Sequence, residues 1–167
     1  MVLTKSELIA SLQKEARVVV HLAGKVDRAQ LDYRPTPKQR STLELLRYLS
    51  MTGPTLVQYA LAEPPDIEVW TRAEEASMAR TFDQAVAAIA AQSDAYATML
   101  ATVPDAKFRA PFADFDGSQT TVGAFIVNLV LMGVAAYKTQ LFVYLKACGR
   151  EELSSANLWY GADAPPA

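Results

Sequence analysis

The chain has 167 residues, of which 51% are hydrophobic and 20% charged, with a formal net charge of −2. That size suits one domain able to bury about 70% of its unfolded surface, and the balance excludes a disordered chain. Basic residues are scattered singly, so no basic face is offered to a phosphate backbone and nucleic acid is not an expected partner.

A single cysteine, Cys148, excludes an internal disulfide framework. The N-terminal stretch MVLTKSELIASLQKEA is charged and amphipathic and has no apolar h-region, so a cytoplasmic location is expected.

The first helix is predicted over residues 4–26. Thr4 and Glu7 have the spacing of a capping box, and Leu8, Leu12, Ala16, Val19 and Ala23 recur at helical spacing. His21, the only histidine, falls opposite that stripe and is expected in solvent, where it serves no Ser or Cys nucleophile. Pro35 and Pro37 in DRAQLDYRPTPKQR forbid a continuing helix.

The second helix is predicted over 41–62, with Ser41 and Glu44 as another capping box. Its inner stripe is Leu45, Tyr48 or Leu49, Thr52, Leu56 and Tyr59, and Pro54 should kink it near Ser50. TRAEEASMAR is open between loop, short helix and an early start to the next element. The third helix is predicted over 81–103, with Phe82, Val86, Ile89, Ser93, Tyr96, Leu100 and Val103 as a seam whose one polar member is Ser93.

PDAKFRAPFADFDGSQ then crosses a bundle end. Its DFDGSQ is not a calcium loop, because alignment on Gly117 puts Phe112 and Gly123 at ligand positions. The fourth helix is predicted over 121–148, with Gly149 as a left-handed cap. Cys148, at the negative end of that helix dipole, is expected to be unreactive. No strand pattern of matching strength appears. The fold expected is all-α, a four-helix bundle over residues 1–153. The tail, 154–167, is expected to be loosely held, with Leu158, Trp159 and Tyr160 free to dock.

Thr121 to Tyr137 carries no charge, which approaches a membrane span in length, but Asn128 interrupts it and Lys138 and Lys146 follow. A central bundle helix is the expectation, with no membrane. Ile126, Leu129, Gly133, Tyr137 and Tyr144 share one side, taken as the core side. Leu131 and Phe142 project opposite, with Val127, Val134 and Leu145 to the flank. An apolar surface wider than one core needs predicts a homodimer through this helix, the alternative being cover from the Trp70 to Arg80 segment or the tail.

STLELLRYLS follows a Tyr-Arg-Pro-x-Pro segment, and YKTQLFVYLKACG follows TVGAFIVNLVLMG. With these stretches, and most distinctively Gln140, Leu141, Tyr144, Leu145 and Gly149, the chain resembles the DinB-like (YfiT-type) bundle family from Leu8 to about Leu153. That family holds metal-dependent enzymes, including thiol S-transferases. The resemblance implies three metal-binding histidines: one in helix two after Ser-x-x-Glu-x-x-x, and two spaced by four in helix four. The matching positions here are Tyr48, Gly133 and Tyr137, and none is a histidine.

Ligands at i and i+4 leave one helix face together, but Gly133 has no side chain and tyrosine is a rare ligand for a divalent ion. Helix four has no acidic residue, and helix two has only Glu44, better used as a cap. No metal or other cofactor is therefore expected. Tyr48 and Tyr137 should meet near the family's metal position, their hydroxyls bonding each other, Gln140 or Thr52. Either the core closes over that place or Tyr48, Thr52, Gly133, Tyr137 and Gln140 ring a small-molecule pocket. The leading expectation is a non-catalytic small-molecule-binding or interaction protein. The alternative is a metal-independent transferase or hydrolase related to the thiol S-transferases, with only Glu44 and the tyrosines to titrate near the pocket.

Overall fold

The structure, a computed structural model, describes residues 3–163. Four long helices form the bundle: α1 (Lys5–Ala23), α2 (Thr42–Leu61), α4 (Phe82–Ala101) and α5 (Val122–Ala147). The fold is all-α in class, as expected. TRAEEASMAR belongs to a separate helix, α3 (Glu68–Met78), packed against α2.

Local chemistry sets most of the helix starts. Thr4 with Glu7, Ser41 with Glu44 and Thr81 with Gln84 each form a reciprocal capping box, satisfying amide donors that a helix start leaves free. At the far end of α5, Gly149 takes φ +90°. The Arg150 amide there donates to the Leu145 carbonyl and the Gly149 amide to Lys146, closing the helix in a Schellman motif.

Two apolar clusters fill the bundle. One joins Val19, Leu22, Leu45, Leu49, Ile89 and Leu141, and the other joins Leu12, Val57, Tyr96, Leu100, Phe125 and Val130. Each fully buried aliphatic side chain contributes about 1.5–3 kcal/mol relative to exposure. The central helix is α2, buried on most sides. Pro54 stands inside it and supplies no amide proton to the Ser50 carbonyl. Arg80 fills the vacancy, its Nη1 donating to Ser50 O at 3.2 Å, while buried Gln92 donates to Leu49 O at 2.7 Å.

Several expectations are corrected. Ser93 is not the polar member of the α4 seam. Ala85, Ile89, Gln92, Tyr96 and Leu100 are buried, and Gln92 is accommodated because both Leu49 and the Tyr96 hydroxyl bond to its amide. Residues 104–121 are not purely a polar crossing. Pro111–Ala113 (β1) pairs antiparallel with Gln119–Thr121 (β2), and Gly117 at φ +82° turns the hairpin. Ser155–Tyr160 forms a short helix, α6, capped by Ser154 and seated on α1. Its buried residue is Asn157, while Trp159 and Tyr160 are exposed. His21 is covered rather than solvated, because Asn157 Nδ2 lies 3.1 Å from its Nε2.

The largest correction concerns α5. Ile126–Leu131 is π-helical, and its wider turns delay the buried face by up to one residue. Val130, Val134, Lys138 and Leu141 hold the core positions, while Leu129, Gly133 and Tyr137 are turned to the edge and only partly covered. Val134 and Leu145 are therefore buried, not on the outer flank. The exposed stripe is Asn128, Met132, Ala136, Thr139 and Val143. By length and mean hydropathy (1.6) α5 could cross a membrane, yet it packs against α1 and α2 in the bundle. Its Lys138 is 2% exposed and places Nζ 2.6 Å from Glu15 Oε2.

Candidate functional site

The turn of α5 toward its edge opens a cavity of about 580 Å³ between α2, α3 and α5. Tyr48 and Leu56 come from α2, Ile67 and Trp70 from the start of α3, and Phe115 from the hairpin turn. Asn128, Leu129, Gly133, Ala136 and Tyr137 come from α5. A β-carbon built on Gly133 would meet nothing within 4 Å, so the glycine itself forms part of the open space.

Tyr48 is the hub. Its ring meets Tyr137 edge-on with centroids 4.9 Å apart, and Trp70 edge-on at 6.0 Å. The Arg40 guanidinium lies 4.0 Å above the Tyr48 ring and 5.9 Å from that of Tyr137, a cation–π stack at the rim. Burial pushes the Tyr48 hydroxyl above the ordinary phenol range. The hydrogen bond with Thr52 opposes this shift, the neighbouring Tyr137 reinforces it, and Arg40 opposes it least. At neutral pH Tyr48 is therefore a hydrogen-bond donor and not a base.

Of the five residues expected at a pocket, three line the cavity: Tyr48, Gly133 and Tyr137. Thr52 is buried behind them, its side chain set against the Tyr48 hydroxyl. Gln140 faces away, because its amide donates to the Tyr144 hydroxyl, which in turn donates to the Arg40 carbonyl at 3.0 Å. That bond steadies the backbone carrying the rim arginine. Glu44 is outside the cavity and engaged. The Ser41 amide donates to it at 2.7 Å and Arg34 pairs with it at 3.3 Å, so its carboxyl is held below the usual range.

Sequence reasoning missed Ile67, Trp70, Phe115 and Arg40. The spacing of three between Ile67 and Trp70 was a usable sign of an inner helix face, but the segment's charge masked it.

A second recess of about 280 Å³ adjoins the first through Tyr48 and is lined by Arg40, Glu44, Arg47, Glu74, Ser77 and Met78. A separate apolar cavity of about 320 Å³ lies between the start of α1 and the start of α5, and shares Asn128 with the main one. Cys148 lines neither, and burial with nearby Asp27 pushes its thiol up, which leaves it a poor nucleophile.

Among the described residues no three His, Cys, Asp or Glu side chains come together as a metal centre would need. The donors lining the main cavity, two phenols and an amide, do not fit the divalent ion that the resembled family holds.

The bundle, with an edge cavity between its second and last long helices, is an α-helical fold of the DinB-like type. Among solved structures the chain is similar to the crystal structure of a DinB-like protein (YjoA) from Bacillus subtilis, with a TM-score of 0.65 and 17% identity over 88% of this chain and 94% of that one. At that identity the likeness shows the fold. No protein-family model matches the chain, and no curated protein matches it in sequence.

Proposed function

We propose that the protein binds a small apolar or aromatic molecule in the Tyr48–Tyr137 cavity and carries out no metal-dependent chemistry there. The observation that supports this reading is the composition of the wall. A space large enough for a ligand is lined by aromatic and aliphatic side chains, with two phenols and Asn128 as its convergent polar groups. Catalysis by a metal-free route requires an acid or base that titrates near neutrality. No histidine, cysteine or carboxylate lines the cavity among the described residues, and Tyr48 is held protonated. The three positions where the resembled family has its histidines are the hub, the open floor and the facing ring of this pocket. On this reading the protein is cytoplasmic and pairs with a second copy along the exposed stripe of α5.

The test uses N-phenyl-1-naphthylamine, an uncharged apolar dye whose emission rises in a dry pocket, together with metal analysis of the untagged protein. Saturable binding is expected for the wild type and its loss in Gly133→Phe, whose ring fills the cavity. Metal content should be near zero. Stoichiometric metal, or equal dye binding by both proteins when Gly133→Phe is folded by circular dichroism, overturns the proposal.

A further inference from the structure

The geometry points to an amphipathic monocarboxylate as the ligand class, its apolar body in the Tyr48–Trp70–Leu129 cavity and its acid group against Arg40. This rests on the main cavity being a ligand site. The two recesses meet at a single residue, Tyr48, and they differ in kind: one is walled by aromatic and aliphatic groups, the other by charged ones. A molecule filling both must be apolar at one end and polar at the other.

The sign of the polar end follows from how the charged groups are already used. Glu44 receives the Ser41 amide and pairs with Arg34. Glu74 receives the Trp70 indole N–H at 3.3 Å. Arg47 donates its Nε to the Arg80 carbonyl at 2.7 Å, and Arg80 is directed to Ser50. Arg40, Arg47 and Arg80 pair with no carboxylate among the described residues, but Arg40 alone has a guanidinium with no hydrogen-bond partner there either, and its Cζ lies 4.0 Å from the Tyr48 ring centroid. A cation held over a ring keeps its N–H donors for other partners, and those of Arg40, unused among the described residues, suit a planar carboxylate bound through two parallel hydrogen bonds. One guanidinium with all its donors open receives one carboxylate. A dianionic headgroup would bring a second negative charge beside Glu44 and Glu74, which line the same recess, while Arg47 is already directed to the Arg80 carbonyl.

The experiment displaces N-phenyl-1-naphthylamine from the wild type and from Arg40→Gln with decanoate, 1-decanol and decyl phosphate. Arg40 supports the fold through its backbone carbonyl, not its side chain, so the variant is expected to fold normally. Decanoate should displace the dye from the wild type about tenfold more effectively than decanol, a difference that Arg40→Gln abolishes and raised salt reduces. Equal displacement by decanol and decanoate, or an unchanged preference in Arg40→Gln, overturns the monocarboxylate assignment while leaving the pocket intact. Decyl phosphate displacing the dye better than decanoate also overturns it. Failure of the dye to bind at all, or its binding unimpaired by Gly133→Phe, overturns the pocket itself.

Discussion

Two helical glycines should respond to the same substitution with opposite signs. Gly133 lies inside α5 with ordinary helical backbone, and a β-carbon there meets nothing within 4 Å. Gly133→Ala therefore removes the entropic cost of a helical glycine without a clash, a gain of about 1 kcal/mol. For a chain of this size that corresponds to a rise in Tm of about 2–4 °C. Gly53 lies inside α2, where a β-carbon would stand 2.0 Å from the Tyr96 hydroxyl oxygen, 3.2 Å from its Cζ and 3.5 Å from Val130 Cγ1. The Tyr96 ring is 1% exposed and its hydroxyl donates to Gln92 Oε1 at 3.3 Å, so it has nowhere to retreat. Overpacking costs about 1–3 kcal/mol, and the lost hydrogen bond adds about 1 kcal/mol. Together they outweigh the propensity gain, so Gly53→Ala should lose about 1–3 kcal/mol net. Urea denaturation with thermal melts reads both. A stabilised Gly53→Ala would refute the close approach of α2, α4 and α5 at this level, and a destabilised Gly133→Ala would refute the open floor of the cavity.

The buried Lys138–Glu15 pair predicts a non-additive series. Lys138→Ala should cost about 3–5 kcal/mol by leaving Glu15 uncompensated, whereas Lys138→Met with Glu15→Leu should be near neutral, and urea midpoints of the single and double variants decide it. Glu44 has a folded pKa below its unfolded value of about 4.3. Its cap therefore contributes stability above that value and loses it as pH falls through the folded pKa. Glu44→Gln keeps a capping side chain but not the charge, so it should be less stable than the wild type at neutral pH and converge with it on acidification, as measured by melts across the acid range. The exposed stripe of α5 predicts that sedimentation equilibrium finds a dimer for the wild type and a monomer for Val143→Glu, with little change in Tm; a monomeric wild type refutes that face.

The bundle was legible because its signals are local. Capping boxes at Thr4, Ser41 and Thr81 and the spacing of apolar residues act within a few positions, and each helix start lies within a residue or so of where they indicate. The face of α5 was not legible, because a π-helical stretch leaves no periodicity of its own and an ideal 3.6-residue turn was carried through it. That slip placed Gly133 and Tyr137 in the core and gave Lys138 no core position, though Lys138 is buried against Glu15. Convergence of Tyr48, Gly133 and Tyr137 could be anticipated through resemblance. Convergence of Ile67, Trp70 and Phe115 on them depends on contacts distant in sequence, and the spacing of Ile67 and Trp70 marks an inner face without saying what it meets.

The cavity lies where two neighbouring helices both leave regular geometry. On α2, Pro54 supplies no donor to Ser50, and the residues lining the cavity, Tyr48 and Leu56, flank that interruption. On α5, Asn128 and Leu129 belong to the π-helical stretch. The two irregular segments face each other at Gly53 and Val130, where a β-carbon on the glycine would stand 3.5 Å from Val130 Cγ1. A wide helical turn costs free energy, and such a turn persists only where surrounding contacts over-determine it. Val130 seated over Gly53 is such a contact, while Arg80 and Gln92 satisfy the Ser50 and Leu49 carbonyls of α2. The Gly53–Val130 contact that brings α2 and α5 together lies beside the irregular turns that line the cavity, so the space beside Tyr48 belongs to the packed scaffold.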